Sequence, residues 1–364
     1  MLNRLVDLAR PMLFTLEPER AHEITLRALE AGLYSCKASP DNPALQVDIM
    51  GLCFPNPVGI AAGFDKDARV YRALQAIGFG FCEVGTLTPR PQQGNPQPRV
   101  ARLIRDRAII NRLGFNNGGY DAAYARLSQR PSGGIVGINI GANKDTHDKA
   151  DDYAHGIKRF YKLADYFMVN VSSPNTLGLR DLQAPEQLDA LLKRVNDARN
   201  HCADKHGRRV PTAVKLAPDI SVDDIPAITE RIIANNMDAI AVSNTTITRP
   251  AGLDPQSAKE NGGLSGQPLF HRSTVMLARV YLAVGGAVPL IGLGGIESGE
   301  TAQAKIEAGA SLIQIYTGLI YGGLPLLQQI KSHLSAAAKR AGASKISELA
   351  GTKAEYWAAQ PLGT

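Results

Sequence analysis

Eight short runs rich in Val and Ile, each followed by a stretch with helical amphipathic spacing, repeat without a linker over about 280 of the 364 residues. That alternation predicts an α/β fold, and eight repeats of this length predict a closed (β/α)8 TIM barrel rather than an open doubly wound sheet. Two further amphipathic stretches precede the first run, so the barrel is expected to carry an N-terminal two-helix extension.

In chain order, helices are expected at 2–13 and 18–34. Pro11 interrupts the first, and Pro18 with Glu19 suits the first turn of the second. Strands follow at 58–62, 81–86, 135–140, 166–170, 212–216, 239–243, 288–292 and 312–316. The helices between and after them fall at 67–77, 120–129, 151–163, 185–200, 222–235, 271–284, 298–308 and 324–339. Three units result: 1–40, an amphipathic helical unit; 41–340, the barrel; and 341–364, an extension containing the sole Trp357, in which no chemistry is legible.

Hydrophobic residues make up 44% of the chain, enough for a sizeable core, and no run approaches the roughly 20 apolar residues of a membrane-spanning helix. Disorder and an integral membrane protein are not expected. The first 34 residues carry charges every few positions and lack a secretory h-region, so the protein is expected on the cytoplasmic side. Cys36, Cys53, Cys82 and Cys202 are far apart, with no CxxC pair and no His at ligand spacing, so reduced packing residues and no metal site are expected. From 86 to 130 the chain carries eight Arg against two Asp, an excess as large as the net charge of +6. Aromatics are not interleaved with these arginines, which favours a small anionic ligand over nucleic acid.

The apolar positions Leu2, Leu5, Val6, Leu8, Met12, Leu13 and Phe14 are dense for a helix that only closes a barrel floor. Two readings stand: packing on the barrel, or a surface helix pair that dips into a bilayer interface. Residues 1–40 hold five basic and five acidic groups, so any membrane contact would be mainly hydrophobic.

Barrel enzymes carry their sites at the carboxyl ends of the strands. Here those ends read Ala62-Gly63-Phe64-Asp65-Lys66, Thr86, Asn139, Asn170, Lys215, Ser243-Asn244-Thr245, Gly294-Gly295 and Tyr316-Thr317. One polar strand end means little, but polar groups ending most of eight strands share one small volume and predict a ligand site. The glycine-rich turns after the seventh and eighth runs leave backbone N–H groups free for an anion, so a phosphorylated ligand or cofactor is expected. Lys215 stands alone in an apolar strand, so its ammonium must either snorkel outward or point at a negative partner in the mouth. It reads either as a Schiff-base lysine of an aldolase or as a fixed charge beside a flavin ring. Ser173 lies in an Asn- and Ser-rich turn with no His or Asp beside it, and no GxSxG is present, so a hydrolase triad is unsupported. Asn111, Asn170, Asn175 and Asn244 together can read a flat heterocycle with alternating C=O and N–H groups, and Lys66 can face a carboxylate.

The motifs Ala61-Ala62-Gly63-Phe64-Asp65-Lys66-Asp67, Asn111-Arg112-Leu113-Gly114-Phe115-Asn116, Ile138-Asn139-Ile140-Gly141, Asn170-Val171-Ser172-Ser173-Pro174-Asn175, Ser243-Asn244-Thr245-Thr246, Gly262-Gly263-Leu264-Ser265-Gly266 and Ile291-Gly292-Leu293-Gly294-Gly295-Ile296 resemble the dihydroorotate dehydrogenase family, in its class 2, quinone-dependent form. The resemblance spans nearly the whole chain in order. It implies a barrel that binds FMN, oxidises (S)-dihydroorotate to orotate in de novo pyrimidine (UMP) biosynthesis, and passes electrons to ubiquinone or menaquinone. It implies FMN contacts at Ala62, Gly63, Lys66, Thr86, Asn139, Asn170, Lys215, Ser243, Gly266, Gly295, Tyr316 and Thr317. Implied orotate contacts are Lys66, Asn111, Arg112, Leu113, Gly114, Phe115, Asn170, Asn175, Asn244 and Thr245. Ser173 falls on the family's catalytic base, where class 1 relatives use Cys. The same resemblance makes the N-terminal helices a quinone tunnel lined by His22 and Arg102, docked peripherally on the cytoplasmic face of the inner (cell) membrane. Two departures are mild: Ser243 stands where relatives carry Thr, and the tail runs beyond the family pattern.

Overall fold

The computed structural model describes residues 11–34, 40–176, 178–254 and 257–363. Of the first expected helix, residues 2–10 lie outside the described residues, as does Cys36, while residues 11–15 are helical.

Eight parallel strands close into a barrel. They are β3 (Val58–Asp65), β4 (Phe81–Leu87), β7 (Ile135–Ile140), β8 (Tyr166–Asn170), β9 (Thr212–Leu216), β10 (Ala239–Val242), β12 (Leu290–Leu293) and β13 (Ala310–Ile315), adjacent in that order, with β13 closing on β3. Strands covered on both faces read as continuous apolar runs. Accordingly β4, β8, β9, β10 and β12 are buried at every position. Ahead of the barrel, β1 (Val47–Ile49) and β2 (Leu52–Phe54) form a short antiparallel pair.

The helix after β3 starts later than expected, at Tyr71–Ile77. The Asp65 carboxylate accepts the backbone N–H groups of Arg69, Val70 and Tyr71 at 2.7, 2.8 and 2.9 Å, which turns residues 66–70 into a loop at the barrel mouth.

A second sheet was not legible in the sequence. The hairpin of β5 (Val100–Leu103) and β6 (Ala108–Asn111), inserted after β4, pairs antiparallel with β11 (Gly263–Gly266), inserted after β10. Both insertions leave the carboxyl ends of their strands, so the sheet covers one side of the mouth.

The helix Pro18–Glu30 is capped by the Glu17 carboxylate, which accepts from Arg20 N, and it buries Leu26 and Leu29. It lies over the mouth, not the floor. Two ionic clamps hold it there. Arg99, 7% exposed, forks onto Glu19 at 2.8 Å, and Arg69 bridges Glu23 and Glu30 at 2.7 Å each. Arg102 adds a third tie, donating to the carbonyls of Leu13 at 3.1 Å and Leu16 at 2.5 Å with its guanidinium over the Phe14 ring.

The tail packs on the outside of the barrel. Gly351 N and Lys353 N donate to Ile306 O and Glu307 O, Arg279 Nε donates to Ala358 O, and Trp357 meets Phe270 edge-on at 6.0 Å.

Hydrogen bonds from Arg69 hold the Glu23 carboxyl down to about 2 and lower Glu30 as well. A carboxyl depressed on folding stabilises above its unfolded value near 4.5, and that stability is lost as pH falls through the folded value. The protection of amides over 18–30, corrected for their intrinsic exchange rate at each pH, should therefore fall as pH drops from about 4.5 toward 2. At neutral pH Arg69→Ala should produce the same local loosening with the barrel strands unchanged. Hydrogen-exchange mass spectrometry reads both effects, and unaltered protection of this helix in the variant would contradict the clamp.

Candidate active site

One continuous cavity of about 1030 Å³ runs from between the helix Pro18–Glu30 and β5 down to the carboxyl ends of the barrel strands. The expected residues within 62–66, 111–115, 170–175, 243–245 and 316–317 meet on its walls with Thr86, Lys215, Gly266 and Gly295, with two exceptions. Asn139 lies beneath the wall, fully buried. The Arg112 side chain turns outward, to Pro98 O at 2.6 Å and Glu260 Oε2 at 3.2 Å, so only its neighbours Asn111 and Leu113 face the cavity.

The polar wall is a directed chain of hydrogen bonds that starts on Glu83, fully buried within β4. The Glu83 carboxylate accepts from Asn139 Nδ2 at 2.7 Å, Gln314 Nε2 at 2.8 Å and Tyr166 OH at 3.0 Å. Burial pushes the Tyr166 phenol well up, so it stays a donor. With Asn139 Nδ2 committed to Glu83, its Oδ1 takes the Thr86 hydroxyl at 2.6 Å. The Thr86 oxygen then accepts Asn170 Nδ2 at 2.9 Å, leaving Asn170 Oδ1 for the Ser172 hydroxyl at 2.8 Å. Ser172 Oγ in turn accepts Asn244 Nδ2 at 2.9 Å, and Asn244 Oδ1 takes Thr245 N at 2.7 Å. Each amide's orientation follows from the one before it.

On the opposite side Asn175 Nδ2 donates to Asn111 Oδ1 at 3.2 Å. Ser173 is 5% exposed, and its Oγ accepts Asn175 N at 3.3 Å. Ser243 Oγ donates to Asn244 O at 3.0 Å.

Two lysines face this wall. Lys215 is 5% exposed and has no hydrogen-bond or ion-pair partner among the described residues, and Gln314 Oε1 is likewise buried without one. Burial pushes the Lys215 ammonium below its ordinary range, with Glu83 acting against it. Burial also lowers Lys66, opposed first by Glu19. Dehydrated cations without anions mark a site built for an anionic or electron-rich ligand.

The far rim is backbone. Gly295, at φ +72°, leaves no room for a side chain, since a Cβ would sit 2.4 Å from Phe270 Cα. Gly266, at φ +95°, would meet Arg107 O at 2.3 Å. The turn after Leu293 therefore lies close against its neighbours, and the Gly295 and Ile296 N–H groups find no acceptor among the described residues. Thr317 Oγ1 sits 2.9 Å from Ser265 Oγ, and Tyr316 OH donates to Gly63 O at 3.2 Å. This free-donor rim, with an unpartnered lysine at the centre, fits a phosphorylated planar cofactor such as FMN.

The cavity's upper part is more apolar. His22 stacks edge-on with Phe64 at 5.3 Å, and Phe64 with Tyr316 at 5.8 Å, so aromatic rings connect the helix to the mouth. Burial first, then Lys66, lowers the His22 imidazole to about 3, so it is neutral at physiological pH; its Nε2 has no partner. Arg102 lines the same part.

Glu83 and Ser172 belong to the wall's hydrogen-bond chain but were not among the site residues expected from the sequence. A lone charge in the apolar run 81–86 was the same signal that picked out Lys215. Ser172 had no signal beyond its place in the loop.

Removing the Glu83 carboxylate leaves three buried donors without their acceptor. Glu83→Ala should cost at least about 3 kcal/mol in urea unfolding, and a loss below about 1 kcal/mol would contradict the ordered chain.

Comparisons with known proteins agree with this geometry. Residues 44–337 match the sequence pattern of the family described as Dihydroorotate dehydrogenase. Relatives named dihydroorotate dehydrogenase (quinone) from Brucella ovis and Brucella abortus are each 53% identical over 356 residues, covering 98% of this chain and 98% of each relative. A crystal structure of DHODH in complex with ferulenol from Eimeria tenella superposes with a TM-score of 0.88 at 38% identity, over 92% of this chain and 95% of that one. The ligand-free form from the same organism gives 0.87 at 38%, over 92% and 99%.

Proposed function

The chain belongs to the dihydroorotate dehydrogenase family, in its quinone-dependent class, and on that footing we propose that it oxidises (S)-dihydroorotate to orotate in pyrimidine biosynthesis, with FMN as cofactor and a membrane quinone as final acceptor. The single observation that carries this reading is the continuity of one cavity. It joins an amide-lined, cation-bearing mouth to an apolar corridor under the N-terminal helix.

Dihydroorotate is a carboxylate on a ring of alternating carbonyl and N–H groups. Asn111, Asn170, Asn175 and Asn244 read that ring, and Lys66 faces the carboxylate. Ser173 Oγ takes the C5 proton while its own hydroxyl proton passes to a water of the cavity, and hydride leaves C6, so the ring double bond forms between C5 and C6. FMN would supply the redox chemistry here, as acceptor of the substrate's hydride and donor of electrons to quinone. Ala62, Gly63, Thr86 and Ser243 would hold its ring, with Asn139 orienting the Thr86 hydroxyl from beneath, Lys215 would oppose charge that develops there, and Gly266, Gly295, Tyr316 and Thr317 would take its phosphate.

Quinone enters between the helix Pro18–Glu30 and β5, past Arg102 and the neutral His22. Met12, 71% exposed, and Leu33, 60% exposed, suit an end of the corridor that rests on a bilayer. No helix among the described residues is long and apolar enough to cross a membrane; the docking proposed is peripheral, at the cytoplasmic face. Of the unit 1–40, described residues between 13 and 34 line the corridor; 41–340 is the catalytic barrel, and the described part of 341–364 packs along its outer helices.

Ser173→Ala should retain FMN yet slow flavin reduction by dihydroorotate at neutral pH by at least roughly 100-fold. Rapid mixing under anaerobic conditions measures this directly. Unchanged reduction kinetics would remove Ser173 from the role of base.

A further inference from the structure

Arg180 opens the short turn Arg180–Gln183 that follows the Ser173 loop, and it does not line the cavity. Its guanidinium nonetheless reaches three loops at once. Nε donates to Ser172 O at 3.1 Å, Nη2 to Thr245 O at 2.8 Å and Nη1 to Asp219 Oδ2 at 2.8 Å. These loops follow β8, β10 and β9, three neighbouring strands of the barrel.

The anchor is itself held from several sides. Asp219 accepts the Thr246 hydroxyl and Ile247 N, the latter at 3.0 Å, and meets Arg272 Nε at 3.3 Å. Thr246 exchanges two backbone hydrogen bonds with Leu264, of 3.1 and 2.7 Å, and so ties the cluster to β11 and through it to the strand that ends on Asn111.

We infer that the Arg180–Asp219 pair is a positioning device that sets the distance between Ser173 and the Asn244–Thr245 segment. The Ser172 carbonyl is one peptide from Ser173, and the Thr245 carbonyl is in the residue after Asn244. A guanidinium is planar and its donors are covalently spaced, so two carbonyls bound to one guanidinium are held at a separation the side chain dictates. A lysine keeps the charge but is a point donor that cannot span both. The separation matters because base and ring-binding amide must meet opposite parts of one substrate, and misplacement by about 1 Å costs on the order of 100-fold in rate.

The inference rests on the reading of Ser173 and Asn244 as substrate-facing residues, and its test keeps the two apart. In the FMN-loaded enzyme, Arg180→Lys should bind FMN and be reoxidised by a soluble quinone as the unaltered enzyme is. Flavin reduction at saturating dihydroorotate should fall between roughly 10-fold and 100-fold. Asp219→Asn should move the same rate in the same direction, and it carries the test alone if Arg180→Lys fails to fold. A merely structural role would lower FMN content and both half-reactions together. Loss of that kind, or flavin reduction at the unaltered rate in a variant that holds FMN, overturns the inference. If Ser173→Ala is slow while Arg180→Lys is not, the inference alone falls. If dihydroorotate does not bleach the unaltered enzyme, the functional reading falls and takes the inference with it.

Discussion

A carboxylate at the centre of a closed barrel has to be satisfied from within, because no water reaches it to share the cost of burial. Glu83 is satisfied by Asn139, Tyr166 and Gln314, and this one requirement propagates. It commits the amide of Asn139, which commits Thr86, then Asn170, Ser172 and Asn244. The mouth is therefore a surface whose donors and acceptors are already assigned, and a ligand meets a fixed pattern instead of a set of rotating amides. Lys215 is the group this network leaves out. Its amine, near Glu83 yet bonded to nothing described, is left to meet whatever fills the cavity.

The N-terminal helix answers a different constraint. It crosses the open end of a polar mouth and needs more than two buried leucines to stay there. Arg99 and Arg69 supply the remainder by forking onto Glu19, Glu23 and Glu30. The helix face that carries these carboxylates also carries His22 toward Phe64. Docking the helix and forming the corridor are thus one event. This gives the two halves of the proposed reaction a shared wall.

What could be read from the sequence follows from how local each feature is. The runs 135–140, 166–170 and 212–216 agree with the strands residue for residue because a strand buried on both faces declares itself by its own composition. The start of the helix at Tyr71 was misjudged because the Asp65 side chain, not helical propensity, governs residues 66–70. The sheet of β5, β6 and β11 was invisible because its pairing joins residues about 150 positions apart. At the site, the amides and lysines were legible as polar residues ending apolar strands. The outward turn of Arg112 was not, since it depends on Glu260 and Pro98. Nor was Arg180, whose partners come from three separate loops. Lys215 had two readings on sequence grounds; family membership favours the flavin.

The central claim is that a single cavity holds a flavin against dihydroorotate beneath a helix that admits quinone. The most direct measurement is the visible spectrum of the purified protein before and after anaerobic addition of dihydroorotate. The account predicts a flavin band that bleaches on addition and returns when a soluble quinone is supplied. A protein that carries flavin but does not bleach, or one that takes up no FMN, would contradict it.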